Sequence, residues 1–266
     1  VQAMGFVKTS QEIEQLQQVL SAPQARDGEM LWAQFNTDPE FIAHVLPPGL
    51  VPGKAPLASV NIGHWKGSNA GAFYGAAVFV NARTKQMTET EADCQYCLAF
   101  FVSDDQASLF GRPMMGEPKK LADIKIDRSE NQVTASVTRY GKTIISLQAQ
   151  LANDVGNAKQ VQNALYFKHV PAANGIGLEY DPILVRQVNT QTLTRVVLGD
   201  AAETSVAFAS TLHDPLGDIP VLGGFTSAYS EGSIYAEVSA IDTVDRESFL
   251  PYAFAAYDDW TTLVTE

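Results

Sequence analysis

Between residues 132 and 140 apolar and polar side chains alternate without a break: Val133, Ala135 and Val137 against Thr134, Ser136 and Thr138. A period of two is that of an extended strand with one buried face; a helix would scatter these residues around its axis. The run ends at Arg139-Tyr140-Gly141-Lys142, a hairpin turn, and residues 143–151 return as a second strand. Segments 29–36, 58–65, 72–81, 93–102, 122–127, 183–198, 205–209 and 232–240 are rich in branched, aromatic and small apolar residues and read as further strands. Helices are few. Ser10–Leu20 puts Ile13, Leu16, Val19 and Leu20 on one face, with Ser10 as cap and Ala22-Pro23 as stop. Residues 38–45 form a second, capped by Asp38 with Pro39 at its first position and halted by Pro47-Pro48-Gly49. A third is expected in the first half of residues 246–263. This pattern predicts one α+β domain over 1–266, with a helical extension over about 1–25. Its large, mostly antiparallel sheet or barrel can hold one small ligand.

The 30 acidic and 18 basic residues give a formal net charge of −12, which argues against nucleic acid and anionic membranes as partners. No apolar run approaches the ~18–20 residues of a membrane span. Val1-Gln2-Ala3-Met4-Gly5-Phe6 lacks the basic region and apolar core of a signal peptide, so a cytoplasmic location is expected. Cys94 and Cys97 have the spacing of a redox or metal pair. They also lie on a strand-like segment, where residues three apart face opposite ways, and buried thiols are the plainer reading. The four histidines (His44, His64, His169 and His213) have no metal-ligand spacing, and no metal is expected.

The run Gly116-Glu117-Pro118-Lys119-Lys120-Leu121 holds the most informative chemistry. An ordinary lysine titrates near ~10.4 and is almost wholly protonated at neutral pH. Burial or a neighbouring cation favours the neutral amine, whose lone pair can attack a carbonyl. Together with Leu109-Phe110-Gly111-Arg112, the run resembles the signature of acetoacetate decarboxylases, where Gly-Arg-Glu precedes Pro-Lys-Lys-Leu by a few residues. Thr37-Asp38 to Leu46-Pro47-Pro48-Gly49-Leu50, Tyr166-Phe167-Lys168-His169-Val170-Pro171 and Pro215-Leu216-Gly217-Asp218-Ile219-Pro220-Val221 resemble further stretches of that family in the same order. The resemblance covers residues 29 to 238 or so. It implies that Lys119 forms a Schiff base with a short keto acid and that Lys120 helps it shed its proton. The imine is then the electron sink for decarboxylation, with no cofactor and within a homo-oligomer. It also implies that Arg112 or Arg26 holds the substrate carboxylate, with Met115 in the binding wall. On a regular strand Lys119 and Lys120 point to opposite faces, and burial of Lys119 is then the larger influence.

Three departures bear on the reaction. The family's Tyr-x-Glu strand element corresponds to Phe73-Tyr74-Gly75-Ala76-Ala77, with Tyr74 kept and Ala76 at the Glu position. The family's early Arg falls at Gly28, two residues from Arg26, and Arg112 is followed by Pro113 instead of Glu. A second branch of the superfamily also lacks the strand Glu. It carries an active-site Tyr on a late strand, here Tyr229, and uses the lysine for aldol or dehydration chemistry on pyruvate-like keto acids. Tyr74 and Tyr229 are accordingly candidates to move protons or orient substrate, with a core aromatic as the plainer reading of Tyr229. Glu117 is a candidate acid/base, with a loop carboxylate paired to Lys120 as the plainer reading. Three functions follow: a decarboxylase, an aldolase or dehydratase using the same lysine, and a non-catalytic ligand-binding protein.

Overall fold

The computed structural model describes residues 5–263, so the first four residues of the expected N-terminal extension lie outside the described residues. In chain order the elements are α1 (Ser10–Leu20), β1 (Gln24–Asn36), α2 (Pro39–Val45), β2 (Leu50–Pro52), β3 (Leu57–Ser68), β4 (Phe73–Thr84) and β5 (Cys94–Val102). Next come α3 (Asp105–Met115), β6 (Lys119–Leu121), β7 (Asp123–Ser129), β8 (Gln132–Arg139) and β9 (Lys142–Lys168). The chain continues with β10 (Ile183–Gly199), β11 (Ser205–Phe208), β12 (Thr226–Thr243), α4 (Arg246–Ala253) and α5 (Trp260–Leu263).

Seven strands follow one another in antiparallel pairs, in the order β5, β4, β3, β1, β12, β10, β9. A parallel pairing of β5 with β9, at Gln95↔Ala164 and Tyr96↔Leu165, joins the two ends into a ring. The short β6 adds to β5 in parallel, with Lys119 opposite Phe100 and Lys120 opposite Phe101. The first part of β9 leaves the ring and pairs with β8 and β11, while β7 lies beyond β8. The sheet is thus mostly antiparallel, as the density of strand segments in the sequence suggested.

Because side chains alternate across a strand, the ring has two distinct faces. On one, Leu31, Ile62, Ala76 and Phe101 share the main core with Val137, Ile145 and other residues of the smaller β7–β8–β9–β11 layer. On the other, Ala77, Phe79, Cys97, Ala164, Tyr166 and Val185 form a small separate cluster inside the ring. Cys94 and Cys97 belong to opposite faces, and both are free thiols.

Four details differ from the sequence reading. Thr9, not Ser10, caps α1: its hydroxyl accepts from the Glu12 N–H at 3.3 Å, and the Glu12 carboxylate accepts from the Thr9 N–H at 2.8 Å. Strand β9 runs on to Lys168 and does not stop at Leu151; its polar stretch is exposed on both faces yet keeps its ladder with β10. Strand β12 begins at Thr226 instead of 232. Helix α3 was not anticipated. Asp104 caps it and Gly116, at φ 75°, ends it, but Pro113 near its end disguises the helical pattern.

Candidate active site

The site is built at the junction of α3 and β6. Glu117, Pro118 and Lys119 form a three-residue turn in which the Lys119 N–H donates to the Glu117 carbonyl at 2.7 Å. Proline fixes φ near the value such a turn needs and has no N–H of its own to satisfy. The turn brings two side chains, two positions apart, back to one spot. Glu117 Oε2 lies 2.6 Å from Lys119 Nζ, and both side chains are about 95% buried. Nζ also donates to the Ala107 carbonyl of α3 at 3.1 Å and lies 4.8 Å from the Phe100 ring centroid. The carboxylate–ammonium contact is an ion pair without hydrogen-bond alignment, and Oε2 receives no hydrogen bond among the described residues. Gly111 of α3 packs directly over the pair; a side chain there would collide with Glu117 Oε2 and Lys119 Nζ.

This pair sits in the wall of a cavity of about 140 Å³ inside the ring. That is the scale of the roughly 150 Å³ void that accepts one benzene. Much of the wall is aromatic and apolar: Trp65, Phe73, Phe79, Phe100, Phe110 and Met115. Elsewhere it carries uncharged amides on β3, β9 and β10. The register explains which residues face inward. Lys119, Phe100, Ala77 and Asn61 are successive cross-strand partners on the cavity side. Lys120, Phe101, Ala76, Ile62, Leu31 and Tyr229 are successive partners on the opposite side.

The expected site residues therefore separate into groups. Lys119, Glu117 and Met115 line the cavity. Lys120 points away from it and donates to the His213 carbonyl at 2.8 Å and to Asp214 at 3.1 Å, with Asp258 at 3.6 Å. Burial pulls the Lys120 pKa down, against the pull of Asp214. Glu117 pairs with Lys119 and not, as its plainer reading had it, with Lys120, because the turn at Pro118 points it inward. Arg112 donates to the Lys119 carbonyl at 2.7 Å and stacks on Tyr257, so it braces the lysine's backbone from outside the cavity. Arg26 is exposed on β1.

Tyr74 stacks on His64 with ring centroids 4.0 Å apart. Tyr229 donates to Glu29 at 2.7 Å and lies 3.2 Å from Glu231, with the Arg128 guanidinium over its ring. Burial and the bond to Glu29 push its phenol well up. The phenol on the cavity wall is instead Tyr166 of β9, whose pKa is raised by burial and then by the Glu117 carboxylate. Its signal in the sequence was its place in the Tyr166-Phe167-Lys168 stretch. The cavity face of β4 presents Phe73, Gly75, Ala77 and Phe79, with no carboxylate; Ala76 faces the other way.

Comparison with known proteins agrees with this architecture. Residues 9–247 match the model of the family described as acetoacetate decarboxylase (ADC). A "CLA biosynthesis isomerase" from Lactiplantibacillus plantarum is 24% identical over 266 residues, covering 93% of this chain and 92% of the relative. A solved acetoacetate decarboxylase structure superposes with a TM-score of 0.72 at 15% identity, covering 83% of this chain and 89% of that one. The enduracididine biosynthesis enzyme MppR, in complex with pyruvate, superposes with a TM-score of 0.66 at 15% identity, covering 85% and 91%. With nine-tenths of its length matched by the family model and its ring of strands shared with solved members, the chain belongs to the acetoacetate decarboxylase family.

Proposed function

We propose that this protein is an enzyme that binds a small carbonyl compound as an imine on Lys119 and uses Glu117 to carry the protons. The observation that carries the reading is the buried Lys119–Glu117 pair, 2.6 Å apart on the wall of a ligand-sized cavity. A proton passed from Nζ to Oε2 leaves a neutral amine, whose lone pair can attack a carbonyl, and a neutral acid. The amine adds to the substrate carbonyl. Glu117 returns its proton to the resulting hydroxyl, water leaves, and a protonated imine faces a carboxylate. That carboxylate takes a proton from the carbon next to the imine, giving an enamine. In a substrate that already carries a β,γ double bond the enamine is a dienamine; returning the proton at its far end moves that double bond, and hydrolysis frees the product and Lys119. The same enamine can add to a second carbonyl, or lose a hydroxyl group from a neighbouring carbon.

Proton transfer next to the imine is favoured over decarboxylation by what lines the cavity. Among the described residues there, Glu117 and Lys119 are the only charged groups, and both candidate arginines stand elsewhere. The carboxylate of a short keto acid would have no cation but the lysine that must become an imine. One relative is named an isomerase. Decarboxylation is the second reading, favoured by the family model and the acetoacetate decarboxylase fold match.

The two separate by product. In D2O, the protein should exchange the hydrogens next to a ketone carbonyl, followed by NMR. Glu117→Gln should slow that exchange by roughly 100-fold or more, the usual contribution of a positioned acid/base. Rapid release of acetone and CO2 from acetoacetate would reverse the preference, since exchange alone is common to both routes.

A further inference from the structure

The inward faces of β9 and β10 carry an unusual concentration of amides: Gln162 on one and Gln187, Asn189 and Gln191 on the other, all lining the cavity that holds Lys119. Their spacing of two puts the β10 trio on a single face. Gln162 and Gln191 belong to an ordered chain. Gln160 donates to Gln191 at 2.9 Å, Gln191 to Gln162 at 3.4 Å, Gln162 to Gln95, and Gln95 to Ser59 at 3.3 Å. Beside this chain, Gln187 donates to Asn189 at 2.9 Å, yet its own Oε1 is buried and has no partner among the described residues. A fold that needed only a filled ring would place aliphatic residues here, as it does at the neighbouring inward positions Ala164, Val185 and Ala236. Buried acceptors are nearly always satisfied, so this one calls for a donor that no described residue supplies.

Position and charge narrow the ligand. Gln187 pairs with Ala164, two residues along β9 from the cavity-lining Tyr166, a separation of roughly 7 Å at the usual strand rise. The charges of Glu117 and Lys119 cancel, and no other charged side chain lines the cavity among the described residues. A hydroxyl is the group that suits this place: it donates to Gln187 Oε1 and can accept from a neighbouring amide N–H.

We infer that the cavity selects an uncharged, ring-sized hydroxy ketone, its carbonyl at Lys119 and its hydroxyl on the Gln187–Asn189 amide pair. The placing of the carbonyl rests on the imine reading above; the amide subsite does not.

The test compares 4-hydroxycyclohexanone with 4-methylcyclohexanone, which match in size and carbonyl. Binding is measured by titration calorimetry to the native protein and to Gln187→Leu. The hydroxy ketone should bind the native protein at least about tenfold more tightly. Gln187→Leu should erase that advantage without weakening the methyl ketone. Gln187→Met takes its place if the leucine variant does not fold. Equal affinities in the native protein, no binding of either ketone, or an advantage that survives both substitutions would overturn the subsite. Tighter binding of acetoacetate than of the hydroxy ketone would overturn the uncharged class. Failure of the imine reading is seen separately: the hydroxyl preference persists in calorimetry while borohydride leaves no adduct on Lys119.

Discussion

Gly111→Ala should damage the chemistry out of proportion to the fold. Alanine in place of glycine inside a helix ordinarily stabilises by about 1 kcal/mol. At position 111 the new Cβ would overlap Glu117 Oε2 and stand 2.6 Å from Lys119 Nζ and 2.8 Å from Lys119 Cδ. Non-bonded heavy atoms settle at roughly 3.5–4.0 Å, so Nζ must retreat by about 1 Å. Overpacking of this kind costs roughly 1–3 kcal/mol. Set against the helix gain, the net destabilisation is roughly 0–2 kcal/mol. The displaced atoms are those that react, and a misplacement of about 1 Å can cost on the order of 100-fold in rate. Urea denaturation and borohydride trapping, run on the same preparations, measure the two effects. A variant about 1 kcal/mol more stable, with trapping unchanged, would show that Gly111 does not pack on the reacting pair and would refute the site geometry.

Three further outcomes follow from the arrangement. Lys120→Met should leave the pH dependence of imine formation on Lys119 in place, since the two side chains lie on opposite faces of β6 and Lys120 is held by Asp214 and His213; a displaced profile would give Lys120 a direct part. Tyr166→Phe should slow ketone exchange by about 10-fold or more if its phenol relays protons with Glu117, whereas Tyr229→Phe should leave exchange unchanged; the reverse ranking in NMR exchange assays would move the proton relay to the other face. Asp258 has a pKa below its ordinary 3.8: burial raises it, but the Tyr140 hydroxyl and the Arg139 guanidinium outweigh burial. A depressed folded pKa contributes stability that is complete above the unfolded value and lost as the pH falls through the folded one. Between about pH 5 and about pH 3 the native urea midpoint should therefore fall further than that of Asp258→Asn, and equal losses would contradict this.

The strands were legible where periodicity dictates them. The alternation of Val133, Ala135 and Val137 specifies a half-buried strand whatever surrounds it. Residues 152–160 carry no such signal because most of them are exposed, and only their pairing with β10 makes them a strand. Lys119 could be singled out because its neighbours in sequence form a recognisable run. The partner of Glu117 could not, since it depends on the direction in which the turn at Pro118 closes. Tyr229 and Tyr74 show the same limit from the other side. Both are strand tyrosines near the right stretches, but a shift of one residue in register decides which face they occupy. The amides facing the cavity were invisible as a group, because their contributions from β3, β9 and β10 are separated by up to about 130 residues and meet only when the ring closes.

Reductive trapping tests the central claim most directly. The native protein is incubated with a small ketone and borohydride, digested, and mapped by mass spectrometry. The site predicts one added mass, equal to the reduced ketone, on the peptide containing Lys119. It also predicts none on that peptide in Lys119→Ala, and none at Lys120 in either protein. Unmodified native protein, or an adduct that persists when Lys119 is replaced, would contradict an imine-forming lysine in this cavity.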